Sequence, residues 1–266
     1  MNILSRPLLI CFFCLALPLT TSAANLQPLG IKDAATLASG TGELRFGIAY
    51  LSDSYLPFQQ QNSDRTQVSV PELNLTLGLG KRIEVEAIYE LLLVDETGRD
   101  SDIGSGDLRL ATKINLLKED LQLPAISLRV ATKLPNASRT DGFGTDEADN
   151  FIDLLASRTF PTFSLHANLG LAILGDPNDR QDDKLHYALA VSYPLPAHNL
   201  NLLAGIEGYD FGAGNLNDRG ALTAGAQIRL GGSTIDLGAS VGYRNRSEDW
   251  GLRAGLTTPF DLPEGW

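Results

Sequence analysis

Beyond Cys14 the chain contains no cysteine, because its two cysteines, Cys11 and Cys14, both fall in the first stretch of sequence. That excludes disulfides, thiolate metal sites and thiol nucleophiles from everything downstream. Long apolar runs are also missing after that stretch, which excludes a transmembrane helix but says nothing about membrane strands, whose alternating residues average to neutrality. Basic charge is scarce: 21 Lys and Arg stand against 32 Asp and Glu, for a net charge of −11 in 266 residues. A nucleic acid partner needs basic patches, so that class is excluded.

The opening residues set the compartment. Arg6 supplies a basic start, PLLICFFCLALPL an apolar run, and Thr21-Ser22-Ala23-Ala24 small residues for cleavage. This is the layout of a secretory signal peptide over 1–24, too short in its apolar part for a retained anchor. A short periplasmic segment is expected over 25–42, followed by one folded unit over 43–266.

That unit is built of alternation. In RIEVEAIYELLLV, Ile83, Val85, Ala87, Tyr89, Leu91 and Leu93 share one face and Arg82, Glu84, Glu86 and Glu90 the other. Successive strand side chains point to opposite sides, so each such segment has one apolar and one charged face. The pattern recurs through Trp250–Phe260 and gives roughly twelve strands of the length a tilted membrane strand needs. Pro71 between Val68-Ser69-Val70 and the next apolar phase predicts a bulge. The connections decide which face is inside. Long polar ones (SDSYLPFQQQNSDRT, PNASRTDGFGTDEADN, GDPNDRQDDK, DFGAGNLNDR) alternate with tight ones (GK, FPT, GGS). A soluble sandwich mixes connection lengths, whereas an outer-membrane barrel has long outer loops and short periplasmic turns. The expected fold is therefore all-β, a closed antiparallel up-and-down transmembrane β-barrel with lipid on its apolar face. Tyr50, Tyr187, Tyr193, Tyr243, Trp250 and Phe260 fall where interfacial aromatic girdles belong.

The charged faces then line a lumen. Its candidate solute-binding residues are Arg82, Glu84, Glu86, Arg109, Lys113, Arg129, Lys133, His166, His186 and Arg229. Ions inside a narrow barrel must pair or stay hydrated, so the lumen is either a water-filled path or a salt-bridged plug. The basic members on the third to fifth strands would form a positive ladder favouring small anions or aromatic carboxylates. Other constellations are weaker. Ser164 and His166 on one strand face suggest a lipid hydrolase, yet serine catalysis also needs an orienting group and an oxyanion hole. His166, His186 and Asp153 lack the tight spacing of a metal site. The loop acids Asp176, Asp179, Asp182 and Asp183, and Asp146, Glu147 and Asp149, lack the Asp-x-Asp-x-Asp-Gly order of a calcium loop, and DGFGTD has no following Lys-Ser/Thr for phosphate. No cofactor, metal or catalytic residue is expected.

Three segments carry a family resemblance: GDLRLATK (Gly106–Lys113), KLPNASRTDGFGTDEADN (Lys133–Asn150) and LHANLGLAILG (Leu165–Gly175). They resemble the outer-membrane family of the MetA pathway of phenol degradation. The resemblance implies a channel-like barrel for passive uptake of small solutes, aromatic or hydrophobic compounds among them. A structural barrel without transport is the third alternative. The surroundings implied are outer-membrane lipid and lipopolysaccharide, with the barrel assembly machinery engaged during biogenesis.

Overall fold

The computed structural model describes residues 26–58, 64–178, 180–210 and 218–263. The leader expected at 1–24, Asp179 and Trp266 lie outside the described residues. Thirteen strands follow in chain order: β1 Thr41–Ser52, β2 Arg65–Leu79, β3 Ile83–Glu96, β4 Asp102–Ser105, β5 Arg109–Leu117, β6 Ala125–Lys133, β7 Asp149–Thr159, β8 Ser164–Asp176, β9 Arg180–Leu195, β10 Leu200–Asp210, β11 Arg219–Leu230, β12 Ser233–Gly242 and β13 Trp250–Asp261. Apart from the short β4, each strand hydrogen-bonds antiparallel to its neighbours in sequence. The meander closes where β1 pairs with β13, from Thr41 opposite Asp261 to Ser52 opposite Trp250. Twelve long strands thus make a barrel with no open edge, and among the described residues the only helical element is a 3₁₀ turn at Pro196–His198. Among the described residues no helix is long and apolar enough to cross a membrane.

The extra strand is a break in the wall. β5 pairs with Ile83–Ile88 of β3, and β4 pairs with Leu91–Val94 of the same strand. Between them Gly106–Leu108 steps out of register, with the Gly106 N–H still donating to the Glu90 carbonyl at 2.9 Å. A second irregularity falls between Ser69 and Glu72, around Pro71, as its missing N–H predicts.

Tight turns and the two ends of the barrel share one rim, which we call the turn end. β1, β6, β10 and β12 run out to the opposite rim, the loop end, where the connections 134–148 and 243–249 lie. GDPNDRQDDK departs from the expected loop. β8 runs to Asp176 and β9 resumes at Arg180, so this hairpin continues as paired strand past its neighbours. At the turn end, the Asp120 carboxylate accepts from the N–H groups of Gln122 and Leu123 at 2.7 and 2.8 Å. Those two donors hold its carboxyl below the usual aspartate range.

Burial is inverted relative to a soluble protein, and this decides the orientation of the faces. Leu169, Leu237 and Leu252 are more than half exposed on the outer surface, whereas Lys184 and Asp236 have no exposed surface at all. Roughly 0.8 kcal/mol per apolar CH₂ favours taking that outer stripe out of water, so it is a lipid-facing surface. Tyr50 and Trp250 pack at 5.0 Å near the loop end, and the Tyr187 and Tyr243 hydroxyls meet at 2.6 Å.

The segment before β1 corrects a sequence expectation. Residues 26–40 lie inside the turn-end half of the barrel. They rise from Gln227 beside Gln27 to about mid-height at Gly30–Lys32 and return past Ser157 and Glu84 to Gly78, beside the start of β1. Leu26, Leu29 and Ile31 pack on the inner-face residues Ala188, Ala190 and Leu203, and Ala34 packs on Ala125 and Leu155. Space for this chain comes from small residues. A Cβ on Gly238 would sit 2.3 Å from Pro28 Cγ, and one on Gly205 would sit 2.6 Å from Ile31 Cδ1. Apolar side chains without a strand pattern find here an apolar patch on an otherwise polar wall.

Candidate functional site: the barrel lumen

The inner faces of β2 to β9 and the 26–40 segment build one polar network. Backbone groups of the segment, which form no sheet, are satisfied by wall side chains. Lys32 N–H donates to Asn168 Oδ1 at 2.9 Å while Asn168 Nδ2 donates back to the Lys32 carbonyl at 2.8 Å. Ala34 N–H donates to Ser157 Oγ at 2.9 Å. Its carbonyl accepts from Ser127 Oγ and from Asn115 Nδ2, the latter at 3.2 Å. Leu37 N–H donates to Glu84 Oε2 at 2.8 Å.

Ion pairs complete the attachment. Lys32 Nζ lies 2.5 Å from Glu86 Oε1, and Arg129 Nη2 lies 2.8 Å from the other oxygen of the same carboxylate. Arg129 reaches on to Asp153 at 3.7 Å, and Asp153 holds His186 Nδ1 at 2.6 Å. Lys113 bridges Glu84 at 2.9 Å and the Asp33 carbonyl at 3.1 Å. A chain of charged and polar side chains therefore runs from Lys32 of the segment through Glu86 of β3, Arg129 of β6 and Asp153 of β7 to His186 of β9. Removing ions from bulk water costs several kcal/mol each unless partners replace the water, and here each cation named has a carboxylate. Between the segment and the wall of β1–β3 there remains a cavity of about 80 Å³ lined by Leu37, Glu43, Arg45, Asn74 and Glu84 among others. It has room for a handful of waters.

The loop half is different. Lys133 binds Asp107 at 3.2 Å and Asp149 at 3.0 Å. Asp107 also accepts the N–H groups of Asn136 and Ala137, which folds the 134–148 connection inward. Phe143 of that connection packs with Leu92, Val94 and Ala137. Across the lumen, Tyr209 stacks on His186 at 4.9 Å and meets Phe151 at 6.3 Å, an aromatic ledge contributed by β7, β9 and β10. Arg109 stands on the other side with its side chain half exposed, 3.6 Å from Glu90.

Of the sequence candidates, Glu84, Glu86, Arg109, Lys113, Arg129, Lys133, His166 and His186 lie in the lumen. Arg82 does not; it occupies the turn before β3, exposed, and donates to the Leu116 carbonyl at 2.9 Å. Arg229 is likewise exposed near the turn end of β11. Both were read as inward from strand phase, but each sits where the strand meets the rim and water is within reach. Arg244 is in the loop after β12, over the Tyr243 ring. Asp149, read as a loop acid, is the buried first residue of β7. The positive ladder is not left over: Lys113, Arg129 and Lys133 each face carboxylates.

Strand register separates the two histidines. His166 lies opposite Ala190 and His186 opposite Gly170 on paired strands, an offset of four residues or about 13 Å. They do not share a metal. His166 Nδ1 instead meets Ser157 Oγ at 3.0 Å and Asp33 Oδ1 at 3.3 Å. Both contacts fall on one ring nitrogen, whereas a serine triad needs the acid and the nucleophile on opposite nitrogens. Sequence reasoning missed Lys32 and Asp33, because nothing local marks a non-strand segment as lumen-bound. The signal was on the wall. Leu155, Leu203, Leu92 and Val94 are apolar in the inward phase, and each meets the segment or the folded-in loop.

The family model described as "Putative MetA-pathway of phenol degradation" matches residues 41–260, the whole of the barrel. The chain belongs to this family. An outer membrane channel from Pseudomonas putida F1 has the same fold, with a TM-score of 0.66 at 12% identity over 85% of this chain and 97% of that one. The NanC porin superposes with a TM-score of 0.53 at 11% identity, over 81% of this chain and 98% of that one. The translocator domain of the autotransporter NalP from Neisseria meningitidis gives 0.52 at 14% identity, over 84% of this chain and 89% of that one. At such identities the likeness is one of fold, and the shared fold is the outer-membrane β-barrel. No curated protein sequence matches the chain. In outer-membrane barrels generally the short turns are periplasmic and the long loops external.

Proposed function

We propose that this barrel is a passive outer-membrane channel for small solutes, aromatic compounds among them. The observation that carries the reading is the attachment of residues 26–40. The segment fills the periplasmic half of a charged lumen, and hydrogen bonds and ion pairs hold it rather than sheet pairing. Such contacts exchange with water at modest net cost, about 0.5–1.5 kcal/mol each, so the segment can leave while the barrel stays closed. Support also comes from the phenol-degradation description of the family and from the channel of P. putida with this fold. In this reading Glu84, Glu86, Lys113 and His166 hold the segment when the path is shut, Arg129, Lys133 and His186 brace the wall around it, and all seven hydrate the path when it is open. The leader 1–24 is cleaved on export, lipid and lipopolysaccharide surround the apolar stripe, and the assembly machinery inserts the closed sheet. The protein is not an enzyme in this reading, since His166 serves to hold Asp33. In planar bilayers the mature chain should show discrete, infrequent openings, and deletion of 26–37 should make them larger and persistent. A deletion variant that folds in lipid and passes neither ions nor solutes would refute the channel.

A further inference from the structure

Arg109 is the unusual cation of its wall. Lys113, Arg129 and Lys133 are nearly buried and within 3.2 Å of a carboxylate, but Arg109 is 52% exposed and its contact to Glu90, at 3.6 Å, is too long for a hydrogen bond. Its guanidinium therefore turns donors toward the lumen. What it faces is not another acid alone. Strand register brings it to the ledge: Arg109 lies opposite Lys133 and Lys133 opposite Asp149, two residues from Phe151 on the same inward face. The Phe151 ring meets Tyr209, the centre of the ledge with His186, and Glu72, Asp107 and Tyr209 share the surroundings of the guanidinium. Those rings come from strands that are not all neighbours: β7 and β10 are separated by β8 and β9. They meet because their side chains project into the lumen, above the level that residues 26–40 reach.

We infer that the external half of the lumen holds a binding site for small aromatic carboxylates, the ring lying against Phe151 and Tyr209 and the carboxylate on the guanidinium of Arg109. The chemistry selects for both halves of the ligand. A planar fork binds a carboxylate through paired N–H donors, and an aromatic ledge gives an aryl ring a stacking surface. An aliphatic acid would use only the first and a neutral arene only the second. The site deepens the channel reading, on which it rests for its biological use, but binding itself does not require transport.

Calorimetry on the full mature protein in detergent, with benzoate, benzyl alcohol and acetate as probes, tests it. Benzoate should bind saturably, with the neutral arene and the aliphatic acid each about tenfold weaker or more, the usual worth of a hydrogen bond to a charged group. Arg109→Gln should bring benzoate to the level of benzyl alcohol, Arg109→Lys should fall between, and Tyr209→Leu should bring it to the level of acetate. Arg229→Gln, outside the lumen, should leave all three unchanged. Absence of benzoate binding, equal affinity for benzoate and benzyl alcohol, or wild-type benzoate affinity in Arg109→Gln would each overturn the inference. Absent flux in bilayers with benzoate binding intact would instead overturn the channel and leave the site standing.

Discussion

Glu86 is the carboxylate on which the lumen segment depends most, and the effect of neutralising it can be ranked against its partner. In Lys32→Gln the Glu86 charge keeps Arg129 at 2.8 Å and Asn74 at 2.9 Å, so no ion is stranded. Only one pair is lost, between side chains 24% and 10% exposed. Discounting a fully buried pair for that exposure leaves about 1.4 kcal/mol, or a tenfold rise in the fraction of molecules with the segment released. Glu86→Gln strands two cations: Lys32 loses its carboxylate, and Arg129 is left with Asp153 at 3.7 Å. Breaking a buried pair costs about 3–5 kcal/mol, which a partly hydrated lumen reduces to roughly 2–3, or about 30- to 150-fold. The assay is maleimide labelling of Ala34→Cys. Ala34 has no exposed surface, and no native cysteine follows Cys14 to give background. Where release is fast, labelling rate follows the released fraction. The expected order is wild type, then Lys32→Gln, then Glu86→Gln. Equal rates in all three, or a faster rate in Lys32→Gln than in Glu86→Gln, would refute the ion-pair account of the attachment.

Three further outcomes follow from the wall. Leu154 is half exposed at the middle of the outward face of β7, so Leu154→Arg should lower the stability of the barrel in lipid vesicles by about 2–4 kcal/mol, read from urea titrations. Gly170 lets Asp153 lean across β8 to His186; a Cβ there would sit 2.2 Å from the Ile152 carbonyl and 2.4 Å from Asp153 Oδ1. Gly170→Ala should therefore cost about 1–3 kcal/mol in the same titration. Asp120→Ala should weaken the barrel at neutral pH, because a carboxyl lowered by backbone donors in the folded state stabilises above its unfolded value. That difference should shrink as pH falls through the lowered folded value.

The fold was legible because its signal is local and repeated. Period-two alternation with full charges in one phase and leucines in the other is written into each strand, and loop order then tells which phase is inside. Rim residues were misread for the same reason. Phase assigns Arg82 and Arg229 to the inner face, but at a strand end a long side chain bends into water or onto a carbonyl, as Arg82 does with Leu116. The short β4 was hidden for a different reason: Asp102–Ser105 falls within DETGRDSDIGSG, whose Gly, Ser and Asp content reads as a loop, and the step at Gly106–Leu108 flips the inward phase between β4 and β5.

The lumen segment was the harder case, and its reason is physical. Nothing in LQPLGIKDAATL fixes a conformation by local pattern; its place comes from partners more than a hundred residues away, such as Ser157 and Asn168. Yet the wall carries the complement. A barrel filled with water has no use for Leu155 and Leu203 pointing inward at 0% and 3% exposure, nor for Gly225 and Gly238 facing Pro28 across two neighbouring strands. Inward leucines mark where something apolar must dock, and inward glycines mark where its backbone comes closest. Read together on β7 and β10–β12, these exceptions to the polar phase trace the groove that residues 26–34 fill. The polar phase tells that the barrel has a lumen; departures from that phase tell what occupies it.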